Sequence, residues 1–193
     1  MLNSLGNRGI FYTLALLVPL SGAFATQVPA LSFEQLTDTS ETVVSGSVAR
    51  SWSDWDTNRQ FIWTHYEITV SGTHKGAAAK TVVVSEPGGI VGDRAMTIAG
   101  TLSYAPGENV VLFLQRMPNG LFRTTGWSQG KYVVDPSGRV HSAGAGAGLE
   151  IMTPGTAASP AATPLRALDG MSAAVFRARI EARASSRQQG ARQ

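Results

Sequence analysis

The sequence predicts a mainly β protein: a small antiparallel barrel preceded by a short helix and followed, after a flexible linker, by a C-terminal helix. Three observations predict it. From Thr42 onward, β-branched residues recur with period two, the spacing that puts alternate side chains on one face of a strand. These runs are short and are separated by turns rich in glycine and proline. The 193 residues include 21 glycines and only 15% charged side chains, below the roughly 25% of ordinary soluble domains. Closure is how small sheets remove exposed edges, so a barrel is favoured and a β-sandwich is the alternative.

The N-terminus has a different character. Arg8 precedes an uncharged run from Gly9 to Leu20, and Ala23 and Ala25 occupy the small-residue positions before a cleavage site. This is the pattern of a secretory signal peptide over residues 1–25, too short in its apolar run to span a bilayer. No later stretch approaches the length of a membrane helix, so no transmembrane segment is expected after cleavage. Cysteine is absent, which removes disulfides, thiol catalysis and thiolate metal sites. An exported chain without disulfides points to a bacterial periplasm or the surrounding medium.

The elements follow in order. Ser32-Phe33-Glu34-Gln35 has capping-box spacing and predicts a short helix from Phe33 to about Thr39. Val44, Gly46 and Val48 fall on one face of a first strand, which enters the loop Ser51–Asn58. Phe61 to Val70 forms a second strand with Ile62, Tyr66, Ile68 and Val70 facing the core and Trp63, His65, Glu67 and Thr69 facing away. Ser71 to Lys80 reads as a loop and Thr81 to Glu86 as a third strand, stopped by the turn residues Gly88 and Gly89. Ala95 to Ala99 is a candidate fourth strand. Asn109 to Arg116 is apolar on both faces and therefore central. Asn119-Gly120 predicts a hairpin turn through residues that tolerate positive φ, with Leu121 to Thr125 returning. A last hairpin spans Lys131 to His141. The barrel domain thus covers 26–142, and with five to seven strands its leading architecture is OB-like.

Residues 143–164 are low-complexity Gly, Ala, Thr and Pro and read as a linker. Residues 165–193 form a basic tail with a short helix, capped by Ser172 and stapled by Met171 on Phe176. Phe176 and Ile180 share a face suited to docking on the barrel, with Arg177, Arg179 and Arg183 solvated. From Arg166 on, six Arg stand against Asp169 and Glu181, whereas Thr26 to Leu165 holds nine Lys or Arg against eleven Asp or Glu. The basic character belongs to the tail, not to a footprint on the folded domain, which argues against nucleic-acid binding.

The order Val43-Val44-x-Gly46-x-Val48, Ile62-x-Thr64-x-x-x-Ile68-x-Val70, Lys75-Gly76, Val82-Val83-Val84 and Gly107-Glu108 leading into Val110-Val111-Leu112-Phe113-Leu114 resembles the netrin-like module carried by tissue inhibitors of metalloproteinases. Extended by Glu86-Pro87-Gly88-Gly89 and Gly126-x-x-Gln129-Gly130-x-Tyr132, the segment is also similar to a class of uncharacterised exported bacterial proteins. The resemblance spans roughly Phe33 to Val134 and implies an OB-type barrel. The animal inhibitors chelate the protease zinc through an N-terminal cysteine. With no cysteine here, the resemblance transfers architecture alone.

Candidate functional residues cluster after the first strand. Trp52, Asp54, Trp55 and Asp56, with Trp63 on the second strand, form an aromatic and acidic patch suited to anchoring a peptide or a sugar; the alternative is that the Trp rings fold back over the barrel end. Asp54-x-Asp56-x-Asn58 imitates the start of a calcium loop and then fails, because Arg59 stands where such a loop needs Gly. His65 and Glu67 share a strand face and could orient a base or a metal, but two ligands do not make a site. No cofactor or metal is implied, and no hydrolase motif appears. The sequence therefore predicts a non-catalytic exported module that recognises an extracytoplasmic protein, a protease among the candidates. A glycan-binding or envelope-associated protein is the alternative, and an enzyme built on His65 and Glu67 is third.

Overall fold

The computed structural model describes residues 26–143, 149–152 and 163–190. The expected signal peptide and most of the expected linker lie outside the described residues. The chain runs β1 (Thr26–Pro29), α1 (Phe33–Thr39), β2 (Thr42–Trp55), β3 (Ile62–Lys75), β4 (Thr81–Pro87), β5 (Gly89–Val91), β6 (Arg94–Met96), β7 (Asn109–Arg116), β8 (Phe122–Thr124), β9 (Lys131–Val134), β10 (Val140–Ser142), β11 (Leu149–Met152) and α2 (Ala173–Gly190). The class is mainly β with two helices.

Seven strands form one sheet in the order β10-β9-β7-β2-β3-β4-β8, and β8 also pairs with β7. The sheet is mixed rather than purely antiparallel, because β4 meets β8 in parallel. That join is one residue pair, Val84 with Phe122, so the barrel is not closed by a ladder. Side chains secure the seam instead. The fully buried Glu86 of β4 accepts the Thr124 amide at 3.2 Å and Arg123 Nε at 3.5 Å, and Tyr104 and Thr124 share a 2.5 Å hydroxyl contact beside it.

Two apolar layers flank the sheet. Val44, Val48, Tyr66, Ile68, Val84, Val110, Leu112 and Leu114 fill the inside of the curl. Val43, Val111, Phe113 and Tyr132 face the other way, beneath Phe33 and Leu36 of α1 and Phe176 and Ile180 of α2. This accounts for the run in β7 that is apolar on both faces: odd and even positions enter different cores.

The predicted capping box of α1 is present, with Ser32 Oγ accepting the Gln35 amide at 3.1 Å and Gln35 Oε1 accepting the Ser32 amide at 2.8 Å. Its other end is closed by a distant residue. Lys75 Nζ donates to the carbonyls of Thr37 at 2.6 Å, Asp38 at 3.0 Å and Ser40 at 2.6 Å, satisfying carbonyls that a helix leaves unpaired and matching the negative end of its dipole. Burial pushes the Lys75 amine below its ordinary value, against the pull of Asp38. Lys75→Met should lower stability by about 2 kcal/mol, as for loss of charged hydrogen bonds, in urea unfolding followed by circular dichroism.

Several expected boundaries move. Ser51–Trp55, expected as loop, continues β2, and Ser71–Lys75 continues β3, each fourteen residues long. Their serines, glycine and charges hide the strand pattern, and cross-strand pairing overrides it. The fourth strand is Arg94–Met96 and pairs with Gly89–Val91. Within the expected linker, Leu149–Met152 forms β11 and pairs in parallel with β1. The C-terminal helix is eighteen residues long rather than short. Arg183, expected in solvent, grips Asp38 at 2.9 and 2.5 Å and ties α2 to α1.

At the β7–β8 turn, positive φ occurs at Gly120 (84°) and not at Asn119. Asn119 contributes through its side chain, with Oδ1 accepting the Leu121 amide at 3.1 Å. The three-residue loop is therefore a turn followed by a left-handed glycine, not a two-residue Asn-Gly hairpin.

Candidate functional site

On one side of the β2–β3 hairpin β7 pairs with β2 only over Thr42–Ser47, whereas on the other β4 follows β3 to Trp63. Before Ala49, even positions of β2 face the barrel interior. A bulge at Ala49 shifts the register between Val48 and Arg50, and an extra residue reverses which face each later side chain takes. Arg50, Trp52 and Asp54 then stand on the outer face opposite Glu67, His65 and Trp63, whereas Trp55 pairs with the buried Ile62 on the inner face. The structure thus brings Trp52, Asp54 and Trp63 together and separates Trp55 from them.

Asp56 does not join this face either. Its Oδ1 accepts the amides of Gln60 at 2.7 Å and Phe61 at 3.1 Å, closing the hairpin turn, and Arg59 adopts φ 54° there. It is a turn residue. Gly88 and Gly89 do more than stop a strand. Gly88 donates to the Ile62 carbonyl at 2.7 Å, and a Cβ at Gly89 would lie 2.3 Å from Thr64 Oγ1 and 2.6 Å from Ser53 Oγ. Both positions let the chain cross directly over the hairpin, with φ of 99° and 138°.

The outer face is a connected polar and aromatic surface. Arg50 donates to Glu67 Oε2 through Nε at 3.1 Å and Nη2 at 2.7 Å. Its guanidinium sits 4.8 Å from the Trp52 ring centre, and the His65 ring lies 5.3 Å from Trp52. His65 Nδ1 meets the buried Ser85 hydroxyl at 2.8 Å. Burial lowers the His65 pKa from its ordinary value, with the Asp54 charge acting in the opposite direction. His65 and Glu67 are each engaged by a neighbour, and among the described residues no cluster of three or more His, Asp or Glu could hold a metal ion. At the end of the hairpin, Phe61 is 49% exposed, and on the ribbon that crosses it Ile90 is 69% exposed.

A second constellation escaped sequence reasoning. Ser45 Oγ lies 2.7 Å from His74 Nε2, and His74 Nδ1 lies 2.8 Å from Glu181 Oε1. The three are 29 and 107 residues apart in sequence, and only docking of α2 assembles them, so no spacing signalled them. The order is that of a nucleophile, a base and an orienting carboxylate. Hydrolysis also needs access and oxyanion donors. Ser45 is 5% exposed within a strand paired on both sides. What the chain of contacts does is hold α2 against the sheet.

Compared with protein-family models, with characterised proteins and with solved structures, the chain matches none of the three.

Proposed function

We propose that this protein is an exported, non-catalytic binding module whose β2–β3 hairpin end recognises an extracytoplasmic protein, a protease being the first class to test. The observation that carries this reading is the hairpin end, where Phe61 is exposed at the turn and Ile90 is exposed on the ribbon that crosses the hairpin's inner face. Exposed large apolar side chains are what a protein interface uses as anchors. The strand pairings β2-β3-β4-β8-β7 support an OB-like, netrin-module-like barrel, in which the first hairpin loop borders the binding face. Inhibition of a protease would then block the cleft and owe nothing to cysteine chelation. Glycan binding ranks second, because Arg50 and His65 already engage the Trp52 ring on which a sugar would stack.

Affinity capture from the producing cell's envelope and culture fluid tests it, with the Phe61→Ser, Ile90→Ser double variant as control bait. A stoichiometric protein retained by the native bait and lost by the variant is expected. Identical retention on both baits would sink the proposal.

A further inference from the structure

The exposed edge of β2 has an unusual property. Val48 is the last residue of β2 whose main chain is bonded on the side away from β3, accepting from Gly107 at 2.8 Å and donating to Glu108 at 3.0 Å. Past the Ala49 bulge, residues 50–55 pair with β3 alone. Asp56 donates its amide across the hairpin to Phe61 at 2.8 Å, so by strand alternation Trp55, Ser53 and Ser51 direct their amides and carbonyls to the open edge. Among the described residues, no other element hydrogen-bonds these groups. Alternating donors and acceptors at this spacing match the groups of an extended backbone.

We propose that two copies of this chain pair antiparallel along this edge, about a two-fold axis at Trp52. In that register Ser51 lies opposite the second copy's Ser53 and the reverse, two hydrogen-bonded pairs that exchange four main-chain bonds. Arg50 lies opposite the second copy's Asp54, and Asp54 opposite its Arg50, all on the outer face. Trp52 meets its own counterpart in a non-hydrogen-bonded pair, where side chains approach most closely.

The order of charges selects both the partner and the register. Asp54 is exposed and makes no ion pair within its own chain among the described residues. A register centred on Asp54 sets carboxylate against carboxylate. One centred on Ser53 sets Asp54 opposite the second copy's Trp52 and offers Arg50 the Asp56 carboxylate, whose Oδ1 already accepts two turn amides. Arg50 itself donates to Glu67 through Nε and Nη2 while its side chain stays 66% exposed toward a second carboxylate. Charges on an edge strand usually prevent pairing; here they are self-complementary. The bulge stops the run at Arg50, and among the described residues no other strand edge carries this order of charges, so the pairing closes at two.

Sedimentation equilibrium on the full chain, as the expressing cell processes it, tests the proposal from micromolar to several hundred micromolar. The native chain should reach twice the mass of one copy. Asp54→Arg makes both charges of the edge positive and Arg50→Asp makes both negative, so each variant alone should stay at the mass of one copy. Mixed in equal amounts, the two should return to twice that mass, because each then supplies what the other lacks. A native chain that stays single throughout would overturn the proposal, as would a doubled mass in either variant alone or a mixture that fails to pair.

Discussion

Phe176→Ala is expected to lower stability by about 3–5 kcal/mol, the usual cost of deleting a buried aromatic ring. Phe176 has no exposed surface, and its ring lies 4.7 Å from Tyr132, 6.1 Å from Phe113 and 6.3 Å from Phe33. It is the point at which α2, α1 and the outer face of the sheet meet. Its loss opens a cavity and also weakens the docking of α2, leaving Ile180 as the one large buried apolar side chain of the helix, with the pairs of Arg183 and Arg187 with Asp38 and the Ser45–His74–Glu181 contacts beside it. The polar contacts are partly solvated, and exposed ion pairs contribute little, so Ile180 carries most of what docking remains. Calorimetry should show a melting temperature lower by about 10 °C, from the usual few degrees per kcal/mol for a chain of this size. Hydrogen exchange should show protection lost first along Ala173–Gly190. A change confined to a degree or two, with α2 still protected, would mean that the helix is held by something other than this cluster.

Glu86→Ala should cost a comparable amount, about 3–5 kcal/mol, for a different reason. Removing the carboxylate leaves the Thr124 amide and the Arg123 guanidinium without their acceptor at a seam that has a single backbone bridge. Glu86→Gln keeps an acceptor for Thr124 and should cost far less. The pH dependence separates the two effects. Burial raises the Glu86 pKa above its ordinary value, with Thr124 and Arg123 pulling it back. The folded protein therefore binds this proton more tightly than the unfolded chain does. The contribution of Glu86 to stability grows as pH falls through the folded-state value, levels off below the ordinary glutamate range, and is lost as pH rises. Urea unfolding of the native chain and of Glu86→Gln across that range checks the sign: the native protein should gain stability relative to the variant on acidification. The opposite slope would show that the carboxylate is held ionised.

The function proposed for the hairpin depends on both results, because Glu86 lies on β4 beside Thr64 of the hairpin and α2 packs on the far end of β3. β3 carries Trp63 and His65 toward the open end and His74 and Lys75 beneath the helices. A sheet loosened at the Glu86 seam or stripped of α2 would loosen the surface that presents Phe61 and Ile90. Binding measurements on those variants should therefore be read against their stability.

Local chemistry alone determined a good part of this protein. The capping box at Ser32 and Gln35, the central place of Asn109–Arg116, the inward set Ile62, Tyr66 and Ile68, and the docking stripe of Phe176 and Ile180 all follow from spacing. Each is a relation between residues within about eight positions, and propensity and periodicity act over that range. The tertiary structure decided the rest. Whether Ser51–Trp55 is loop or strand depends on a partner strand, and whether Trp52 and Trp55 share a face depends on one inserted residue at Ala49. Lys75 caps a helix that ends 36 positions earlier, Glu86 accepts from an amide 38 positions later, and Ser45, His74 and Glu181 meet across three elements. A sequence pattern records which faces are apolar. It does not record which distant polar groups will satisfy one another when those faces are buried, because that pairing exists only after the chain has closed on itself.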